Sequence, residues 1–151
     1  MPIIILQTEI KAPIEKVFDL ARSIDLHKGS TAQTNEAAIA GKTSGLIELG
    51  ESVTWRAKHL GFYQTLTSKV TVFEFPNKFT DEMVSGIFKS FKHEHVFKEK
   101  NGKTLMIDIF DYKAPLGIIG KLVDLIFLKQ YMSSFLSKKN TILKDYAESN
   151  L

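Results

Sequence analysis

The chain has 151 residues and a mass of 17.0 kDa, the length of one domain (residues 1 to 151) with a single sizeable core. Its composition, 44% hydrophobic and 25% charged, is that of a folded protein, and the absence of Cys excludes disulfides, thiolate catalysis and cysteine-based zinc or iron–sulfur sites. The formal charge of +3 arises from 20 basic residues interleaved with 17 acidic ones, so no nucleic-acid partner is expected, and the lack of Cys fits a cytoplasmic location.

The opening MPIIILQTE is apolar for too few residues, and lacks the cationic start, to read as a signal peptide. Residues 3 to 11 are β-branched and alternate as a first strand should. Ala12-Pro13 with Glu15 then opens a short helix whose apolar stripe is Val17, Phe18, Ala21 and Ile24. A second short helix or turn is expected around Leu26 to Gly29. Residues 30 to 45 are small and polar without a clear period, and read as a long connection.

From Glu48 the pattern is strand after strand. In ESVTWRAKH, Val53, Trp55 and Ala57 alternate with Thr54, Arg56 and Lys58, so an inward Trp55 leaves Arg56 outside as a surface partner for acids. A turn at Leu60-Gly61 leads to YQTLTSKVTVFEF, which stops at Pro76-Asn77. KFTDEMV, SFKHEHVFKE and KTLMIDIFDY follow, the last two joined by Asn101-Gly102, the strongest short hairpin signal.

After Ala114-Pro115 the period changes. Residues 116 to 148 place Leu122, Leu125, Ile126, Met132, Phe135, Leu136, Ile142, Leu143 and Tyr146 at helical spacing, with Lys129, Lys138, Lys139 and Lys144 read as the solvated face. No run reaches the roughly 18 apolar residues of a membrane span. The stretch from 116 to 132 is apolar on more than one stripe and carries Lys121 and Lys129, which suits a buried helix or a transient membrane contact.

Adjacent strands joined by short turns must be antiparallel. The expected architecture is α+β: a curved antiparallel sheet of about six or seven strands wrapped around a long C-terminal helix, with two short helices after the first strand. At this point the chain resembles the helix-grip superfamily, also called SRPBCC. Its members include START-type lipid-transfer domains, birch-pollen-type allergens, coenzyme Q-binding proteins and polyketide cyclase/dehydrases. The resemblance spans essentially the whole chain and rests on IKAPIEKVFDL at 10 to 20, FKHEHVF at 91 to 97, the Asp108 and Tyr112 spacing, and APLGIIGKL at 114 to 122. It is most similar to the small bacterial proteins of the cyclase/dehydrase branch. The glycine-rich loop of the plant allergens has no counterpart here. The resemblance implies an apolar ligand held between sheet and helix, or a reaction on such a ligand.

A two-residue turn at Asn101-Gly102 sets a register in which Phe97 faces Met106, His95 faces Asp108, His93 faces Phe110 and Phe91 faces Tyr112. All eight side chains share one face. A buried His95-Asp108 pair orients a ligand, satisfies a structural need, or holds a general base; His95, His93 and Asp108 are the catalytic candidates. His93, His95 and Asp108 are also conceivable metal ligands, but the two-residue spacing alone names no metal and none is expected. His27 and His59 read as turn or solvent residues.

The expected cavity wall is Trp55, Phe91, His93, His95, Phe97, Met106, Asp108 and Phe110, completed by Leu122 and Ile126 from the terminal segment, with Met83 and Met132 as adaptable additions. No nucleotide loop, serine-hydrolase elbow or HExxH motif occurs, so no cofactor is expected. The functional expectation is binding of a small or medium apolar molecule (lipid, quinone or polyketide-like) by a monomer or homodimer. The alternatives are a cyclase/dehydratase-like enzyme using the His-Asp pair, and an accessory protein meeting another protein or a membrane.

Overall fold

Alternation along the middle of the chain produces one continuous antiparallel sheet in the computed structural model, which describes residues 3–30, 35–59, 61–114 and 127–149. The strands are β1 (Ile3–Ile10), β2 (Ala37–Gly41), β3 (Ser52–His59), β4 (Phe62–Glu74), β5 (Lys78–Ser85), β6 (Ser90–Lys100) and β7 (Lys103–Lys113). They run in the order β1-β7-β6-β5-β4-β3-β2. Two short helices, α1 (Ile14–Ala21) and α2 (Ile24–Ser30), follow β1, and a long helix, α3 (Lys129–Ser149), lies at the C-terminal end. This is the helix-grip architecture: a seven-stranded sheet wrapped around a C-terminal helix.

The Asn101-Gly102 turn has both residues at positive φ, and the β6-β7 register follows from it pair by pair, from Lys100 opposite Lys103 to Phe91 opposite Tyr112. The eight side chains expected on one face are all buried. Val96, Ile107 and Ile109 on the other face are only partly covered.

The 30–45 stretch departs from the expected connection. Ala37–Gly41 is an edge strand, with Ala38 opposite Trp55 and Gly41 opposite Val53. Its small residues have little strand propensity of their own, so pairing with β3 decides the conformation. Gly41 takes φ +74°, and a Cβ there would collide with the Ser52 carbonyl.

Phe18 of α1 is fully buried and is the hub of one core cluster. Phe73, Phe75 and Phe79 meet its ring edge-on at 5.0–5.3 Å, and Phe97 lies at 5.3 Å. The C-terminal end of α3 is tied to the end of β1, where Lys144 Nζ donates to Glu9 O at 2.6 Å and Lys11 N donates to Glu148 Oε2 at 2.9 Å. Leu136, Asn140, Leu143 and Ala147 form its buried stripe. Among the described residues no helix is long and apolar enough to cross a membrane. Most of the apolar 116–132 stretch lies outside the described residues.

Candidate functional site

The concave face of the sheet and the facing side of α3 do not meet along their whole length. Between them lies a cavity of about 350 Å³ lined by described residues of β3 to β7, α2 and α3. From the sheet come Trp55, Phe91, His93, His95 and Phe110; from α3 come Leu128, Tyr131, Met132, Phe135, Leu136 and Lys139. Of the other expected wall residues, Phe97 and Met106 pack instead in the solid core around Phe18. Their strands continue past the cavity to where α1 covers the sheet, so sharing a face with the wall does not place them on it. Asp108 stands behind His93 and His95, and Met83 packs beside Phe91 and Phe110. Leu122 and Ile126 lie outside the described residues.

The polar floor of the cavity is a hydrogen-bonded ladder across three strands and the helix. Asp81 of β5 pairs in register with His93, and Asp108 of β7 with His95, but the bonds cross diagonally. His95 Nε2 donates to Asp81 Oδ1 and His93 Nε2 donates to Asp108 Oδ1, each at 2.8 Å. His95 Nδ1 also lies 3.4 Å from Asp108 Oδ1, and Asn140 Nδ2 of α3 donates to Asp108 Oδ2 at 2.7 Å. The two imidazoles are stacked at 3.8 Å, with Phe79 stacked on His95 at 4.2 Å. The expected His95-Asp108 contact is therefore present but long, and the short bond of Asp108 goes to His93.

These contacts assign protons. Both nitrogens of His95 face carboxylate oxygens, an arrangement that suits the imidazolium, which has two donors. Burial pushes the His95 pKa down, but its bonds to Asp108 and Asp81 outweigh this and hold it above the ordinary value. For His93, burial and the charge of His95 prevail over Asp108 and hold its pKa down. Burial opposes ionisation of Asp108, yet the bonds from His93 and His95 keep its carboxyl well below the usual carboxylate range. Asp81 is likewise lowered, with His95 overcoming its burial. A neutral His93 that gives its Nε2 proton to Asp108 carries its lone pair on Nδ1, for which no hydrogen bond occurs among the described residues.

A second polar group lies across the cavity, and the sequence reading passed over it. His27 Nε2 and Glu36 Oε1 are 2.6 Å apart, and the His27 ring lies 4.2 Å from Trp55. His59 Nδ1 and the Tyr131 hydroxyl are hydrogen-bonded at 2.6 Å, linking β3 to α3. Burial lowers the pKa of both imidazoles. Neither is the solvent residue that its local sequence suggested. Arg56 does face outward, but its guanidinium lies 4.2 Å over the Tyr63 ring rather than against an acid.

Lys139 departs from the solvated face assigned to it. It is partly buried and lines the cavity, whereas Lys138 is exposed. Burial lowers its pKa, against the charges of Glu36, Asp81 and Asp108.

Asp81, His93 and His95 each bring one candidate metal-ligand atom within 4.8 Å of the others. Both nitrogens of His95 are already engaged by carboxylates, so coordination there would have to displace a short charge-assisted bond. Asp81 and Asn140 were missed, though a signal existed for each. Asp81 lies two residues from inward Phe79, and Asn140 interrupts the buried stripe of α3.

No protein-family model matches the chain, and no curated protein matches it in sequence. Solved structures do match over nearly the whole length. The protein TTHA0849 from Thermus thermophilus superposes with a TM-score of 0.80 at 17% identity, covering 99% of both chains. A START superfamily protein from Mycobacterium smegmatis gives 0.74 at 12% identity over 99% of both. The ginseng major latex-like protein 151 from Panax ginseng gives 0.67 at 16% identity over 97% of both. These likenesses establish the fold. At such identities the chemistry has to be argued from the side chains of this chain.

Proposed function

We propose that this protein binds a small or medium apolar molecule (lipid, quinone or polyketide-like) between its sheet and α3. The observation that carries this reading is an apolar cavity of about 350 Å³ with a polar ladder along one wall. Its volume lies within the roughly 300–1,000 Å³ range of ligand sites. Trp55, Phe91, Phe110 and Phe135 supply apolar surface, where burial is worth about 25 cal/mol per Å² before association costs. The ladder residues orient the ligand's polar end. Native mass spectrometry of freshly purified protein, followed by solvent extraction, tests this reading. A defined apolar molecule near one-to-one stoichiometry supports it; no excess mass and no uptake from fatty acids, quinones or aromatic polyketides rejects it.

A second reading is an enzyme of the cyclase or dehydratase kind, and the open Nδ1 of His93 favours it. Asp108 fixes the tautomer and Asn140 fixes Asp108, which is how a general base is oriented. A His93→Gln variant that folds and binds ligand but loses turnover would support the enzyme. Retained turnover would reject His93 as its base.

A further inference from the structure

Among the described residues, every charged side chain lining the cavity except Lys139 is engaged by a protein partner. Asp81, His93 and His95 are bonded among themselves and to Asp108, His27 is bonded to Glu36, and His59 to Tyr131. Lys139 lines the same cavity, yet among the described residues no hydrogen bond or ion pair reaches its Nζ. Its position on α3 explains this. Tyr131, Phe135 and Lys139 succeed one another at intervals of four residues along the cavity side of the helix, so the amine extends a row of rings.

We infer that Lys139 is a carbonyl-capturing amine, its Nζ forming a reversible imine with the aldehyde or ketone carbon of an apolar ligand in the cavity. The inference rests on the ligand-binding reading above and names the ligand class. Charge decides between a carbonyl and an acid. Glu36, Asp81 and Asp108 already act on Lys139 as negative charges, so an acidic ligand would add a further anion to the same enclosure. A carbonyl is neutral on entry.

The chemistry balances without oxidant or reductant. The Nζ lone pair forms the bond to the carbonyl carbon while the carbonyl π pair moves to oxygen, which takes a proton. That proton comes from Nζ, a second from solvent lets the oxygen leave as water, and the C=N bond remains as an iminium; addition of water reverses the sequence. His95, both of whose nitrogens face carboxylate oxygens, lines the opposite, sheet wall of the cavity and takes no part in the proton transfer. The carboxylates then face the cationic iminium. A buried lysine also holds more of its amine neutral and nucleophilic than an exposed one, in keeping with the lowered pKa of Lys139.

The experiment is reductive trapping on the whole protein with nonanal and sodium cyanoborohydride at neutral pH, followed by intact mass and peptide mapping. The expected product is a single adduct, of the aldehyde mass less one oxygen, on Lys139 and not on exposed Lys138. Lys138→Arg should keep the adduct, and Lys139→Arg should lose it while unfolding cooperatively. An adduct spread over surface lysines, or an unmodified Lys139, overturns the inference. If Lys139→Arg does not fold, the modification site mapped on the unaltered protein still decides.

A parallel titration follows displacement of a bound anilinonaphthalene fluorophore by nonanal. Displacement without an adduct removes the imine and leaves the apolar cavity standing. Neither probe binding nor adduct removes both.

Discussion

Asp81 and His93 stand directly opposite each other on β5 and β6, yet the Asp81 carboxylate takes its 2.8 Å hydrogen bond from His95, two residues further along. The same diagonal recurs on the other side, where Asp108 faces His95 but takes its short bond from His93. The crossing stacks the two imidazoles and makes four side chains on three strands a single electrostatic unit.

Asp108 is the member that this unit can least spare. Asp108→Ala leaves the donors of His93 and Asn140 without their acceptor and removes one of the two carboxylates facing His95. A loss of about 3–5 kcal/mol is expected in urea denaturation. Asp81→Ala should cost less, because Asp81 lines the cavity and is more accessible, so water can replace it. Equal losses would contradict this.

Stability should peak near neutral pH. His27, His59 and His93 have lowered pKa values, so on acidification below about 6.5 the unfolded chain takes up protons first and stability falls. His95 acts in the opposite sense. Its stabilisation is fully present below about 6.5 and is lost as pH rises through its raised folded value. Asp81 and Asp108 contribute above the ordinary carboxylate value and withdraw as pH falls through their lowered ones. Urea midpoints should therefore climb from about pH 5 to 6.5 and decline above it. Proton NMR should find His95 the last imidazole to lose its proton; His93 titrating above His95 would contradict the assignment.

Two phenylalanines should respond differently to truncation. Phe18 is enclosed by four other rings, so Phe18→Ala should cost about 3–5 kcal/mol. Phe91 already has the cavity on one side, so Phe91→Ala should cost less and enlarge the site. Denaturant midpoints and uptake of a bulkier apolar probe check both halves.

Trp55 is the only tryptophan, and it lines the cavity against His27. An apolar ligand that enters should shift its emission to shorter wavelength in a saturable titration. Uptake of ligand verified by mass with no change in emission would place the ligand elsewhere.

Much of the sheet was legible because a single strong turn propagates. Asn101-Gly102 sets every pair from Lys100 and Lys103 back to Phe91 and Tyr112, so the buried face of that hairpin could be written residue by residue. What lay beyond the hairpin was harder to read. Placing Asp81 against the histidines needs the β5-β6 register, which no two-residue turn announces. Hydrogen bonds also follow side-chain reach rather than Cα pairing, so the diagonal exchange was hidden even where the register was correct. Lys139 and Asn140 depend on the rotation of α3, and adjacent residues there differ from cavity wall to carboxylate contact. The strand β2 exists only through its neighbour, and local composition gave no sign of it.

The bond from Asn140 to Asp108 also bears on how α3 finds its seat. An apolar stripe can slide along an apolar trough at little cost, because one leucine replaces another. A slip of one turn, about 5.4 Å, would bring Leu136 or Lys144 to Asp108 in place of Asn140. Leucine offers that carboxylate no donor, and moving Lys144 there would break its hold on Glu9. The amide, together with the Tyr131–His59 and Lys144–Glu9 bonds, thus acts as a detent, favouring one longitudinal setting of the helix and with it one shape for the chamber beneath.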